Sequence, residues 1–585
     1  MHRGLTLVVT LVVLACSRFG FAQQEEALSP NWNRYHSSAE SDALLTAWHR
    51  EWPGFTKLHL IGKTRLGSPM WVLEITDQAS GKAEEKPAYY YDGNIHSSEL
   101  TSAEVALHFA WSILSQHGKS ERIQRLLRRH TLYVRPKFNP DGADVTLHSY
   151  HDPRSTPHPY DEDFDGRLDE DPDNDLDGDG AITAMRVENP DGQWIVDPKE
   201  PRVMIRRAGW PTLGKAYDVY SEGLDDDGDG KYNEDGVGGI DMNRNFPRNW
   251  GQEFEQKGAG PYPLSEPETR CTIEFLNKHR NIGGLFHGHT NGGFLYRLPS
   301  TTSWDNFDVA DQRLIQHIAS FYAKTTGQKV RASFTDPRSH RHGTLISWAY
   351  WNYGVVAFVP EFWRGIGDDL NKDGRISSAE RFQYNKDKLG GLGFAEWKSF
   401  EHPTLGRVEI GGWRRRFTSR NPPTPDRFPG MKDRRLLQDE CELYLPWMLW
   451  LAETTPRVVV EDVEVLALGT SKTGGLSPLR VSLTVRNAGY FPTNITRRAI
   501  QNKTAVPVRA MVSMVDASLL VGEKRVELGH LLGGRDLGRA GRRGSFRRLV
   551  FVVQPQTEKA ELRLEVASQK GGTMRRVIRL RPAGK

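Results

Sequence analysis

Cysteine is nearly missing from this chain of 585 residues: there are three, and one of them, Cys16, lies in an N-terminal apolar run. A disulfide-stapled scaffold is thereby excluded. Cys271 and Cys441 remain as either one bridge or two buried thiols, and thiols are the expectation. Long apolar runs are missing too. Past residue 22 none approaches the roughly 20 residues that a membrane-crossing helix needs, so no transmembrane segment is expected. Net charge is only +4, and no nucleic-acid partner is expected. That small sum hides an asymmetry, because residues 457–585 hold 24 Lys and Arg against 10 Asp and Glu, leaving 54 against 64 elsewhere. A basic tail on an acidic body suits an anionic surface as partner for the tail, although solubility alone would account for it equally well.

What is present starts with an export signal. Residues 1–22 carry His2 and Arg3, an apolar run over 5–15 and Gly20-Phe21-Ala22 as a small-residue cleavage site. The expected location is secreted or periplasmic. Leu14-Ala15-Cys16 offers a lipoprotein site as the alternative, with Leu14 fitting poorly. The length implies two or more domains.

The body reads as α/β. A helix over 42–52 ends at Pro53-Gly54, and strands around 57–62 and 70–76 flank a Gly67-Ser68-Pro69 turn. Next, Tyr89-Tyr90-Tyr91 runs into Gly93, and apolar positions at Ala103, Ala106, Leu107, Ala110 and Leu114 mark an amphipathic helix. Residues 131–138 form a β pattern that ends in Asn139-Pro140-Asp141-Gly142, a turn sequence. The alternation predicts a mixed, largely parallel central sheet flanked by helices over residues 31–455. A helix over 433–453 closes that unit. Short β runs at 479–486, 506–515 and 549–553 then predict an all-β sandwich over 456–585, with no catalytic constellation in it.

Residues 160–239 form an acidic insert with an internal repeat. Asp161, Asp163 and Asp165 precede Gly166, Asp175, Asp177 and Asp179 precede Gly180, and Asp225, Asp227 and Asp229 precede Gly230. Oxygen ligands at positions 1, 3 and 5 with glycine at 6 describe a calcium loop, in which the glycine permits the sharp turn. A fourth loop is complete, with Asp369, Asn371, Asp373, Gly374, Ser377 and Glu380 at positions 1, 3, 5, 6, 9 and 12. Structural calcium is the expectation, without a sensor role.

The chemistry gathers at strand ends. His96 and Glu99 follow the strand that stops at Gly93, and an imidazole and a carboxylate three residues apart can converge on one metal. They need a third ligand, and His287 or His289, on one face of a later strand, could provide it. Glu361 ends the apolar run 354–360, where burial would raise its pKa and suit it to base chemistry.

Together these pieces resemble the carboxypeptidase A-like zinc metallocarboxypeptidases over about residues 31–455. His96 and Glu99 match the family's His-x-x-Glu pair. His289, with Phe286 before it and Leu295-Tyr296 after it, matches the third ligand, and His287 is the weaker alternative. Asn243 and Arg244 match the pair that holds a substrate's terminal carboxylate. Glu361 matches the catalytic glutamate, with Trp348 and Gly354 at the family's spacing. The resemblance implies one catalytic zinc and peptide or protein C-termini as substrate. Several family positions depart. The arginine two residues after the first histidine is Ser98. The tyrosine position falls near Ser339, with His340 or His342 as substitutes, and the oxyanion arginine is sought in the insert at Arg202 or Arg206. Ile346 stands at a specificity position and suggests an apolar substrate side chain. A cell-wall peptide hydrolase of the same fold and a non-catalytic surface-binding protein are the competing readings.

Overall fold

The computed structural model describes residues 29–161, 166–208, 214–233, 236–300, 302–333, 341–415, 420–469, 476–534 and 544–581. The export signal at 1–22 with Cys16, and Asp163, Asp165, Ser339 and His340, lie outside the described residues. At the first helix, Ser38–Glu51, Ser37 accepts from the Glu40 amide and Glu40 returns the bond, a reciprocal cap that fixes where the helix starts.

An eight-stranded sheet forms the body. Its order is Thr56–Lys63, Pro69–Ile75, Thr131–Arg135, Ala88–Gly93, Ile282–Thr290, Val356–Phe362, Phe294–Arg297 and Lys329–Ala332. The four strands from Thr131–Arg135 to Val356–Phe362 run parallel, with antiparallel neighbours on both sides. Three central strands are buried throughout, which is why Tyr89, Tyr90 and Tyr91 follow one another without polar alternation. The helices Leu100–Gln116, Val309–Thr326 and Leu436–Glu453 pack against this core. The last of these carries Pro446 inside it and continues past it. Asn139-Pro140-Asp141-Gly142 is the first turn of a helix, Pro140–His148, and not a free turn: Asn139 caps it by accepting from the Gly142 amide, and Pro140 occupies the position where no N–H is needed.

The acidic insert is more than loops. Its strands Ala184–Glu188, Trp194–Asp197, Glu200–Arg206 and Tyr217–Ser221 join Phe394–His402 and Gly406–Trp413 in a six-stranded antiparallel sheet. Residues 458–579 form two four-stranded antiparallel sheets around their own apolar core. This unit sits tightly on the body. Phe491 and Ile495 belong to the body's core, Lys570 Nζ is buried and donates to the Ile282 carbonyl (2.6 Å), and Arg575 forms a two-bond ion pair with Glu85. Cys271 and Cys441 are both unpaired; Cys441 is buried and Cys271 half-buried. Among the described residues no helix is long and apolar enough to cross a membrane.

Candidate functional site

Because Ala88–Gly93, Ile282–Thr290 and Val356–Phe362 are parallel, their carboxyl ends share one edge of the sheet, the place where such folds hold ligands. At the first strand's exit, a Cβ on Gly93 would meet the Ser102 carbonyl at 2.2 Å, so only glycine lets the next helix pack this closely. Asn94, at φ 62°, donates from Nδ2 to the His96 and Ser97 carbonyls and shapes the loop that delivers His96 and Glu99.

The structure brings these two residues together with His289. His96 Nδ1 lies 2.7 Å from Glu99 Oε1, and His289 Nδ1 lies 2.9 Å from Glu99 Oε2. The ligand atoms of the three all fall within 4.8 Å of one another. His289 approaches without hydrogen-bond alignment, and Glu99 Oε2 is buried with no hydrogen-bond partner. That suits atoms that would share a cation, and the donor set, two imidazoles and one carboxylate, suits zinc. The protonation states agree. Burial brings His289 down to about 3, and although burial works to raise Glu99, its interactions with the two imidazoles hold it well below the carboxylate range. His287 turns away, with Nδ1 on Asp92 Oδ1 at 2.5 Å.

Glu361 stands in register with His289 on the neighbouring strand. Burial pushes its carboxyl well above the ordinary range and the Glu99 charge adds to this, while Arg154, Arg341 and Arg420 act against both. These groups line one cavity of about 380 Å³ with Asn243, Arg244, Tyr296, Ser333, Thr344, Ile346 and Val359. Asn243 Oδ1 accepts from the Leu345 amide (3.1 Å), and Arg244 Nη1 donates to the Asn243 carbonyl (2.8 Å), which fixes the pair against the cavity wall.

Three arginines of this cavity, Arg154, Arg341 and Arg420, escaped the sequence reading. Arg154 donates from Nε to Asp241 Oδ2 (2.7 Å), and Asp241 Oδ1 lies 3.2 Å from His96 Nε2 and so orients the first candidate ligand. Arg202 and Arg206 stand elsewhere, on the strand Glu200–Arg206 of the six-stranded sheet. Arg202 is paired with Glu200 and Arg206 lies over Trp194; neither lines the cavity. Arg420 donates to Ser98 Oγ (2.6 Å), so a guanidinium stands beside the serine after all, brought from the far end of the body. Asn421 anchors it by donating to the Ser98 carbonyl (2.7 Å) and accepting from the Thr101 amide (3.0 Å). His342 points its Nδ1 at the Asn249 carbonyl and is not part of the cavity wall.

The acidic loops share one hydrogen-bond pattern. Asp369 Oδ2 accepts from Gly374 N, while Glu380 Oε1 accepts from Leu370 N and Asn371 N, and its Oε2 from Ser377 N and Oγ. In the second loop Asp175 Oδ2 accepts from Gly180 N. Glu222, on a later stretch, accepts from Leu176 N and Asp177 N with Oε1 and from Thr183 N and Oγ1 with Oε2. Glu222 thus takes the place of a twelfth loop residue. Its oxygens gather with those of Asp175 and Asp177, and Asp225, Asp227 and Asp229 form another such group. Asp161 Oδ2 accepts from Gly166 N, and the rest of that loop lies outside the described residues.

A family profile described as zinc carboxypeptidase matches residues 42–370, and a domain of unknown function matches 457–579. Carboxypeptidase SOL1 of Arabidopsis thaliana is 31% identical over 126 residues, 21% of this chain and 26% of that protein. Carboxypeptidase D of Drosophila melanogaster is 30% identical over 123 residues, 20% of this chain and 8% of that protein. The chain therefore spans about a quarter or less of the length of these two relatives. Among solved structures, carboxypeptidase A from Helicoverpa armigera has a TM-score of 0.38 at 16% identity, covering 57% of this chain and 66% of that one.

Proposed function

This chain belongs to the zinc carboxypeptidase family, and from that premise we propose that it is an exported enzyme that hydrolyses peptides at a free C-terminus. The observation that carries the reading is a single cavity in which His96, Glu99 and His289 converge, Glu361 stands beside them, and Asn243 and Arg244 offer an anion site. Bound by the three ligands, zinc would supply Lewis-acid polarisation and a lowered pKa for water. Glu361 takes a proton from the attacking water and returns it to the leaving amine, as the C–O bond forms and the C–N bond breaks. Arg154 is placed to hold the charge that develops on the carbonyl oxygen, a donor whose loss costs roughly 3 to 4 kcal/mol. Arg244 receives the terminal carboxylate, which a guanidinium fork matches in shape.

Retention of all three ligand residues together with Glu361 weighs against a purely binding role. Calcium in the acidic loops, as a structural brace, belongs to the same reading. Its support is the shared pattern in which Glu380 and Glu222 close their loops. The test of the activity is hydrolysis of peptides with free and amidated C-termini by the whole chain and by Glu361→Gln. Free ends should be cleaved at least about tenfold faster than amidated ones, and Glu361→Gln should lose roughly 10²- to 10⁴-fold. Equal cleavage of both ends would remove the carboxylate clamp, and activity indifferent to Glu361 would remove the mechanism.

A further inference from the structure

The cavity holds more positive charge than a C-terminal clamp requires. Arg244 serves the terminal carboxylate, Arg154 is paired with Asp241, and Arg420 stands at Ser98. Arg341 also faces Glu361 electrostatically, but its close contacts are of another kind. Its Nη1 donates to Ser333 O and Oγ at 3.4 and 3.3 Å, its Nη2 reaches the Tyr296 hydroxyl at 3.5 Å, and its plane lies over the Tyr296 ring at 5.0 Å. Every one of these partners is neutral and the bonds are long. Among the described residues its hydrogen bonds go to neutral groups alone, and the carboxylate its charge acts on is Glu361.

Its position is nevertheless built in. Gly343, at φ +62°, lies against Arg244, where a Cβ would meet the Arg244 carbonyl at 1.9 Å, and the Gly343 carbonyl accepts from Phe246 N at 2.9 Å. Leu345 N donates to Asn243 Oδ1. The backbone carrying Arg341 is thus laced to the Asn243-Arg244 turn on both sides of Thr344, and both arginines line the one cavity. The same cavity is lined by apolar Ile346, 3% exposed, and Val359, 6% exposed. Two like charges in one cavity repel unless anions separate them.

We infer that the cavity is built for a C-terminal residue with two carboxylates, its α-carboxylate on Arg244 and its side-chain carboxylate on Arg341, the methylenes lying along Ile346 and Val359. This rests on the peptide-hydrolase reading and names the substrate class of that same site. Ile346 is then the wall for an aliphatic stem, and the substrate side chain is acidic instead of apolar. Glutamate or aspartate ends of ordinary peptides and diaminopimelate ends of wall peptides share this chemistry, the latter with an added ammonium.

The test compares N-acylated dipeptides ending in Glu, Phe, Lys and meso-diaminopimelate on the zinc-loaded whole chain, with Arg341→Gln, Arg341→Lys and Arg341→Glu beside it. The Glu-ended peptide should exceed the Phe-ended one in kcat/KM by about 10- to 100-fold, since a charge-assisted bond is at stake. Arg341→Gln should collapse that ratio to within about threefold, Arg341→Lys should keep most of it, and Arg341→Glu should turn the preference toward the Lys end. The diaminopimelate peptide outrunning the Glu one assigns the site to wall peptides, and the reverse to ordinary peptides; both support the inference. Calorimetric binding of the same uncleaved peptides to Glu361→Gln gives a second readout, in which the Glu-ended peptide should bind about tenfold or more tightly than the Phe-ended one. Glu361-dependent cleavage that favours Phe or Lys ends, or a ratio that Arg341→Gln leaves intact, overturns the acidic preference while leaving the peptidase reading standing. Loss of cleavage for every free end fails the peptidase reading, and the binding ratio then decides the inference by itself.

Discussion

The Glu361 carboxyl is pulled in two directions, upward by burial and the Glu99 charge, downward by Arg154, Arg341 and Arg420. A base must be ionised to act, so kcat/KM should rise with pH through this group. Arg420 favours the ionised form, and removing it must move the limb upward. Arg420→Gln is therefore expected to displace the acid limb of the pH–rate profile by about one unit toward higher pH, as for loss of an opposite charge at a carboxylate. A limb that stays in place or moves down would separate Arg420 from Glu361. The rise from burial was legible in the sequence, from the apolar strand that Glu361 ends; the arginines that oppose it were not. His96 and Glu99 were found because their spacing is local and the strand before them stops at a glycine, and His289 and Glu361 because apolar strands lead up to both. Arg420 meets Ser98 across 322 residues, and no periodicity links them. Arg154 lies in an irregular stretch with no pattern to mark it, whereas Arg202 and Arg206 of the insert are bound up in their own sheet.

At the scale of elements, loops with identical spacing differ in how they are closed. Residues 369–380 contain their own closing carboxylate, Glu380, whereas residues 175–183 borrow Glu222. The first pattern could be read from the chain; the second could not, because position 12 after Asp175 carries no acid. The same blindness hid the six-stranded sheet, whose pairing of Ala184–Glu188 with Gly406–Trp413 joins segments far apart in the chain. Asn139 was read as a turn residue because asparagine followed by proline serves turns and helix starts alike. If calcium braces these loops, a chelator should lower Tm by several degrees, and added calcium should restore it. Glu222→Gln should reduce that calcium-dependent gain, since a ligand carboxylate becomes an amide. A Tm indifferent to chelation removes calcium from all the loops together.

The whole molecule behaves as one piece more than its composition suggests. The basic unit at 457–581 gives Phe491 and Ile495 to the body's core and buries Lys570 at its edge. Burial holds the Lys570 amine well below its usual range, a sign that the contact is dry. Deleting residues 456–585 should lower the Tm of the remainder by more than about 5 °C or leave it insoluble, because the uncovered apolar surface stabilises by roughly 25 cal/mol per Å² when buried. Calorimetry of the intact chain should give one cooperative transition; two separate transitions, or a truncated chain of unchanged Tm, would make the unit an independent module. The Lys570 contact also sets a timetable. Ile282 begins the strand that carries His289 near its end, and its carbonyl waits for a lysine made 288 residues later. Synthesis therefore delivers the ligand strand long before the group that caps it, and closure has to follow a long-range search. A chain cut short between residues 420 and 570 carries His96, Glu99, His289, Glu361 and Arg420 and still lacks the lysine that closes the base of the strand leading to His289.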